Sequence, residues 1–117
     1  MKAENRLKKR KQFNWIFKNG TVCHSKDIAL VFVVSKGKNF KVGFSVTKKV
    51  GKAVVRNKIK RRLKNIVVKY QNQILKNRAL IFVAKPTSVE TTFDDLKIQV
   101  EQLLKKADLL KECKEES

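Results

Sequence analysis

The sequence predicts a single small α+β domain with helices packed on one sheet. The chain has 117 residues, the usual length of one domain, and 42% of them are hydrophobic, enough for one modest core. Its apolar residues follow two periods, one typical of strands and one of amphipathic helices. These segments follow in the order helix, two or three strands, helix, strand, helix, which favours one sheet between helices. We expect one domain over residues 1–117, with a basic arm over about residues 1–10 and a flexible tail over about 112–117.

A short helix is predicted over residues 11–19. Phe13, Ile16 and Phe17 are spaced i, i+3 and i+4, which places them on one helical face, and Asn19-Gly20 is a stop signal.

Two strands follow. Residues 28–34 form a nearly continuous β-branched run, typical of a strand buried on both faces. Residues 40–46 alternate apolar and polar side chains, and a turn over residues 35–39 separates the two runs. The pair therefore predicts a β-hairpin.

The second half of the chain predicts two helices around one strand. Residues 53–76 carry one apolar stripe at helical spacing, and residues 79–84 form another buried run before Pro86. Thr91 or Thr92 can then cap a last helix, because acidic residues suited to a helix start follow at once.

Charge is segregated along the chain. Lysine and arginine number 29 against 10 acidic residues, a net charge of +19. Residues 28–89 hold 16 basic residues and no acidic one, whereas residues 90–117 hold 5 basic and 8 acidic residues. Such a surplus opposes folding by self-repulsion, and nucleic acid is the polyanion that usually relieves it. We expect a continuous positive surface that excludes the last helix.

Few residues suggest catalysis or metal binding. Cys23 and Cys113 predict two free thiols in a reducing cytosol, with a disulfide as the alternative, and the single histidine, His24, lacks partners for a zinc site. No apolar run approaches the ~20 residues that span a bilayer, and the N-terminus lacks the hydrophobic stretch of a secretory signal. We expect no catalytic residue, no protein-held metal and a cytoplasmic location.

The densest charge lies on and before the middle helix. Nine basic residues and no acidic one occur over residues 48–64. A solvated helix would normally offset like charges with Glu–Lys pairs at i, i+4. Because a helix start also offers free N–H groups, we expect an anion site where Lys48, Lys49, Lys52 and Arg56 converge.

This segment resembles a known family. KAVVRNKIKRR at residues 52–62 is similar to the signature of bacterial ribonuclease P protein subunits, in which an Ala-Val pair precedes Arg-Asn and then Lys-Arg. FSVTKKVG at residues 44–51 resembles the family's preceding strand and loop, with Thr47 where serine is more usual. The similarity extends over roughly residues 5–110.

The resemblance implies an α-β-β-β-α-β-α sandwich with one mixed sheet and a left-handed βαβ crossover (ribosomal protein S5 domain 2-like), although such crossovers are generally right-handed. It implies an RNA-binding subunit that assists a catalytic RNA in endonucleolytic removal of the 5′ leader from precursor tRNA. The RNA subunit would hold the Mg²⁺ ions and perform the phosphodiester hydrolysis. The partners would be that RNA and precursor tRNA. No association with a membrane is expected. The residues it assigns to the RNA subunit are Lys48, Lys49, Lys52, Arg56, Asn57, Lys58, Lys60, Arg61 and Lys64.

The resemblance also implies a cleft between the first helix and the sheet that binds the single-stranded leader. Phe13 and Phe17 match its helix aromatics, and Phe32 is the candidate for its sheet aromatic, since Val31 stands where the family often has tyrosine. Exposed rings can stack on bases without demanding a sequence. Core packing of the same helical face is the alternative for Phe13 and Phe17.

Two other functions share some of these features. A structural protein bound to ribosomal RNA would have the same size, basicity and fold class. A DNA-binding module is disfavoured, because no helix-turn-helix spacing and no dimer seam are visible.

Overall fold

The structure is a computed structural model, and it describes residues 7, 9–35, 40–107 and 109. Most of the predicted N-terminal arm, four residues of the predicted turn (36–39), Cys113 and the predicted tail lie outside the described residues.

Three helices and one four-stranded sheet make up the described chain, which confirms the predicted α+β class. A short 3-10 helix precedes the last α-helix. The elements in order are α1 (Arg10–Asn19), β1 (Thr21–His24), β2 (Ile28–Val34), β3 (Lys41–Ser45), α2 (Ala53–Val68), β4 (Arg78–Ala84), the 3-10 helix (Pro86–Glu90) and α3 (Phe93–Lys106).

The sheet has the order β1-β2-β4-β3, and the predicted hairpin of β2 with β3 is wrong. β4 lies between those two strands, antiparallel to β2 over seven residue pairs and parallel to β3 over five. The physical reason is burial. β2 and β4 are both continuous apolar runs, and the side chains on both faces of such a strand are buried only in the centre of a sheet that is covered on both faces. β3, α2 and β4 therefore form a βαβ unit, and the hand of its crossover stays a prediction.

Each face of the sheet carries its own apolar cluster. The larger cluster joins one face to α2 and α3, with Leu30, Phe82, Leu63 and Leu103 among its buried members. The smaller cluster joins the other face to α1, with Ile16 buried against the sheet. The sheet thus separates α1 from the two later helices.

Helix α2 ends at Val68, earlier than the apolar stripe predicts. Residues 69–73 form turns, yet Tyr70 and Ile74 remain buried in the larger cluster. The periodicity continues past the helix end because these side chains pack on the same core, and periodicity reports burial rather than hydrogen bonding.

The start of α3 confirms the predicted cap. The Asp95 N–H donates to Thr92 Oγ1 at 3.2 Å, and Asp94 and Asp95 lie in the first turn. A carboxylate there interacts favourably with the positive end of the helix dipole.

A buried polar cluster ties the β1–β2 turn to α3. Gln99 Nε2 donates to Asp27 Oδ2 at 2.8 Å, and the Asp27 N–H donates to Gln99 Oε1 at 2.8 Å. Ser25 Oγ donates to the same Gln99 oxygen at 3.0 Å, and Lys85 Nζ donates to the Ser25 carbonyl at 2.6 Å. Asp27 is 2% exposed, and the bond from Gln99 replaces water at Oδ2, whereas Oδ1 is buried without a hydrogen-bond partner among the described residues.

Within the part of the chain that the structure describes, no helix is both long enough and apolar enough to cross a membrane.

Candidate nucleic-acid interface

The loop before α2 presents three exposed lysines at the start of that helix. Lys48 and Lys49 lie in a turn closed by the Val50 N–H, which donates to the Thr47 carbonyl at 3.0 Å, and Lys52 precedes the first helical residue. No acidic residue lies in the first turn, and the residue at the cap position makes no side-chain hydrogen bond to the helix. The free N–H groups and the positive dipole end there favour an anion.

The first turns of α2 continue this basic surface. Asn57 and Lys58 are exposed, whereas Arg56 is partly buried. The Arg56 Nε is buried and has no hydrogen-bond partner among the described residues. Packing therefore fixes the stem of Arg56, and its two neighbours face solvent.

One flank of α2 is engaged with the rest of the protein. Arg62 Nη1 donates to the Thr91 carbonyl at 3.3 Å, and Lys69 Nζ lies 5.7 Å from the centroid of the Phe93 ring. Both contacts reach the segment that leads into α3. These two cations therefore help to dock α2 against α3.

The other flank of α2 borders a cleft at the open edge of β3. The cleft has a volume of about 420 Å³. Its walls combine two aromatic rings and aliphatic groups with three cations: Leu7, Phe13, Val42, Gly43, Phe44, Lys60, Arg61 and Lys64. A ring beside several cations is the combination that binds single-stranded nucleic acid, because bases stack on the ring and phosphates lie near the charges.

Leu7, near the start of the chain, lines one side of this cleft. Its N–H donates to the Val42 carbonyl at 3.0 Å, which holds Leu7 against β3. Sequence reasoning missed Leu7 as a cleft residue, since nothing local marks it. It also missed Gly43, although a glycine inside a strand is a signal for close approach of another group.

The three candidate aromatics do not share one cleft. Phe13 lines it, Phe17 is 43% exposed on the same helix outside its walls, and Phe32 packs against the larger cluster on the opposite face of the sheet. The expectation for Phe32 is corrected by strand alternation: Val31 faces α1, so its neighbour must face α2 and α3. The Phe13 ring packs on the smaller cluster and also lines the cleft, so core packing is observed and leader binding stays a prediction.

Carboxylates are placed away from this surface. Among the described residues, Glu90, Asp94, Asp95 and Glu101 lie on the 3-10 helix and α3, and Asp27 is buried. Glu101 accepts a hydrogen bond from Tyr70 Oη at 3.2 Å. Burial is the main cause that raises the pKa of Tyr70, and the neighbouring Glu101 carboxylate raises it further. The loop, α2 and the cleft thus share a positive field.

The family of the chain follows from comparison with known proteins. A family model described as ribonuclease P matches residues 1–108. The chain belongs to the ribonuclease P protein family. Membership connects it to tRNA processing and to an endoribonuclease that is a ribonucleoprotein with an RNA partner.

Individual relatives agree with this assignment. The chain is 34% identical over 111 residues to the ribonuclease P protein component of Alkaliphilus oremlandii, covering 94% of this chain and 96% of the relative. It is 35% identical over 112 residues to that of Bacillus velezensis, covering 95% and 96%.

Solved structures of ribonuclease P proteins share the fold. The Staphylococcus aureus protein superposes with a TM-score of 0.86 at 31% identity, covering 93% of this chain and 99% of the other. The Thermotoga maritima protein gives a TM-score of 0.79 at 27% identity, covering 86% and 96%. The family assignment favours ribonuclease P over the ribosomal and DNA-binding alternatives.

Proposed function

We propose that this chain binds the catalytic RNA of ribonuclease P through the loop 48–52 and the exposed side of α2, and so assists removal of the 5′ leader from precursor tRNA. The observation that carries the proposal is the division of α2 into two flanks. Arg62 and Lys69 contact the protein, whereas Lys60, Arg61 and Lys64 line an open cleft. Cations gathered without neighbouring carboxylates are stabilised by phosphates.

The RNA subunit is the partner proposed for the loop and the first turns of α2. Exposed lysines there neutralise phosphates, and the helix start adds N–H donors. The proposed contact residues are Lys48, Lys49, Lys52, Arg56, Asn57, Lys58, Lys60, Arg61 and Lys64.

The leader is the partner proposed for the cleft. Phe13 offers a ring on which a base can stack, and Lys60 and Lys64 line the same cleft. Such a site accepts any leader sequence, because every base has a π-face. Phe17 is exposed on the same helix and is proposed as a second stacking residue.

Hydrolysis is assigned in this proposal to the RNA subunit, which holds the Mg²⁺ ions. The protein supplies fixed positive charge that lowers repulsion between two polyanions. Its effect should therefore be largest where Mg²⁺ is scarce, since metal ions screen the same repulsion. We propose that this activity takes place in the cytoplasm.

Reconstitution tests the proposed function. The chain is combined with a bacterial ribonuclease P RNA, and cleavage of precursor tRNA is followed over a series of Mg²⁺ concentrations. We expect the protein to raise the cleavage rate most at low Mg²⁺. No stimulation at any concentration, with the protein folded, would contradict the proposal.

Two substitutions test the proposed leader site separately. Phe13→Ala and Phe17→Ala should each weaken binding of leader-bearing precursor by roughly fivefold or more, and leave mature tRNA binding unchanged. Val89→Ala, at an exposed apolar residue on the 3-10 helix, is the matched control. Equal losses of affinity for precursor and mature tRNA would show that the substituted phenylalanine supports the protein structure rather than stacking on the leader.

A further inference from the structure

A glycine lies inside the loop 48–52, just before the first residue of α2. Of the glycines that the structure describes, Gly51 alone has a positive φ, 156°. Residues with a side chain rarely adopt such a φ, whereas glycine does so without steric cost. The chain therefore enters α2 by a path that favours glycine at this position.

Gly51 also lies close against the first turn of α2. A Cβ atom at this position would come 3.3 Å from both Cβ and Cγ1 of Val55, which is tighter than ordinary van der Waals contact. Val55 packs against the larger cluster, and its branched side chain has one strongly preferred rotamer in a helix, so it cannot easily turn away. A side chain at position 51 would therefore displace the loop rather than the helix.

Buried valines hold the other parts of this loop. Val46 and Val50 are each 7% exposed and belong to the larger cluster. Lys48 and Lys49 lie between them in sequence and are exposed. Because both ends of this turn are buried, the backbone step at Gly51 decides where the two lysines lie relative to α2.

We propose that Gly51 is a positioning residue for RNA binding, which places Lys48 and Lys49 beside the start of α2. The lysines and the free N–H groups of the helix then act on the same stretch of phosphates. The inference rests on the proposed function, because it concerns the surface proposed to bind the RNA subunit. Gly51 carries no charge, so its substitution separates the placement of the cations from their number.

Gly51→Ala tests the inference, because it displaces the loop and removes no cation. We expect the affinity for a bacterial ribonuclease P RNA to fall by about fivefold to tenfold. The slope of log affinity against log salt should fall by about 0.7–0.9 for each phosphate that is no longer neutralised. Gln99→Ala lowers stability at the buried polar cluster, away from the loop, and should leave the slope unchanged. An unchanged slope for Gly51→Ala would overturn the inference.

A double-mutant cycle shows whether Gly51 acts through the lysines of the loop. Lys49→Ala should weaken RNA binding in the unmodified protein and have a much smaller effect in Gly51→Ala, because a displaced lysine no longer reaches its phosphate. Lys64→Ala, on the flank of α2 that borders the cleft, should cost the same affinity in both backgrounds. Additive losses for Lys49→Ala and Gly51→Ala would mean that Gly51 does not position this lysine.

Circular dichroism and RNA binding together separate the inference from the proposed function. If Gly51→Ala is unfolded without RNA, Gly51 is a requirement of the fold and the inference is wrong. If the unmodified protein shows no salt-dependent binding to the RNA, the proposed function fails and the inference fails with it. If the unmodified protein binds as expected and folded Gly51→Ala matches it, only the inference is overturned.

Discussion

Gly43 allows the Phe13 ring to lie directly against β3. A Cβ atom at Gly43 would come 2.5 Å from Phe13 Cζ and 3.2 Å from Leu7 Cβ, well inside ordinary contact distance. The end of the phenylalanine side chain can swing away, whereas the strand cannot move without breaking its pairing with β4. The absence of a side chain at this position therefore sets the shape of the cleft.

Gly43→Ala tests this arrangement. We expect the displaced ring to weaken binding of leader-bearing precursor several-fold, while stability changes by about 1 kcal/mol or less because the ring relaxes outward. Binding of precursor and of mature tRNA, with urea unfolding alongside, checks both statements. Unchanged precursor binding would mean that the position of the Phe13 ring does not matter.

Gln99 is the centre of the buried polar cluster that ties α3 to the β1–β2 turn. Gln99→Ala removes the amide that bonds both the carboxylate and the N–H of Asp27. We expect a loss of about 2 kcal/mol in the free energy of unfolding, since buried partners are left without hydrogen bonds. Urea unfolding measures the loss, and Gln102→Ala, at an exposed position on the same helix, is the control.

The ionisation of Asp27 determines how the free energy of unfolding is expected to depend on pH. Burial alone would raise the pKa of its carboxyl, but the nearby polar side chains of Thr91, Gln99 and Thr87 and the charge of Lys26 outweigh it and lower the pKa below 3.8. The ionised form is thus favoured by folding, and its contribution is present above pH 3.8 and lost as pH falls through the native pKa. Asp27→Asn should therefore lose less stability than the unmodified protein over that acid range. Parallel pH profiles of unfolding would contradict this.

At the scale of elements, the sequence predicts what each segment is better than which segments are neighbours. The β2 run and the last helix with its Thr92 cap are found as predicted, because burial and capping are local signals. The placement of β4 between β2 and β3 depends on which strands compete for the sheet centre, and no local signal reports that. The sequence indicates β1 only loosely, since its four residues are mostly exposed.

The candidate site divides in the same way. The basic residues of α2 could be named from the sequence, since their density and the family signature lie in one segment. Their division between protein contacts and the open cleft could not, because it depends on where α3 and α1 pack. The misplacement of Phe32 has the same origin, as one residue of strand register decides which face a ring occupies.

The two flanks of α2 predict opposite effects for two neighbouring basic residues. Arg62→Ala should lower the free energy of unfolding by about 1 kcal/mol because its bond to the Thr91 carbonyl is removed, with little effect on RNA affinity. Lys60→Ala should weaken binding of leader-bearing precursor and leave stability unchanged. Unfolding curves and precursor binding for both variants check this, and the reversed pattern would show that the flanks are wrongly assigned.

On the scale of the whole molecule, opposite charges are divided between neighbouring elements. The exposed carboxylates of the described residues lie on the 3-10 helix and in the first turn of α3, while the entry loop of α2 and the cleft carry lysine and arginine. A net charge of +19 spread evenly would bind any polyanion in many orientations. Concentrating the cations on one surface instead favours one orientation on RNA.

The most direct measurement is the salt dependence of affinity for a bacterial ribonuclease P RNA. Lys49→Ala with Lys58→Ala removes two cations from the proposed surface, and Lys105→Ala with Lys106→Ala removes two from the end of α3. We predict that the first pair weakens binding and lowers the slope of log affinity against log salt by about 0.7–0.9 for each phosphate that is no longer neutralised, while the second pair leaves the slope unchanged. Equal changes for both pairs would contradict a directed RNA-binding surface.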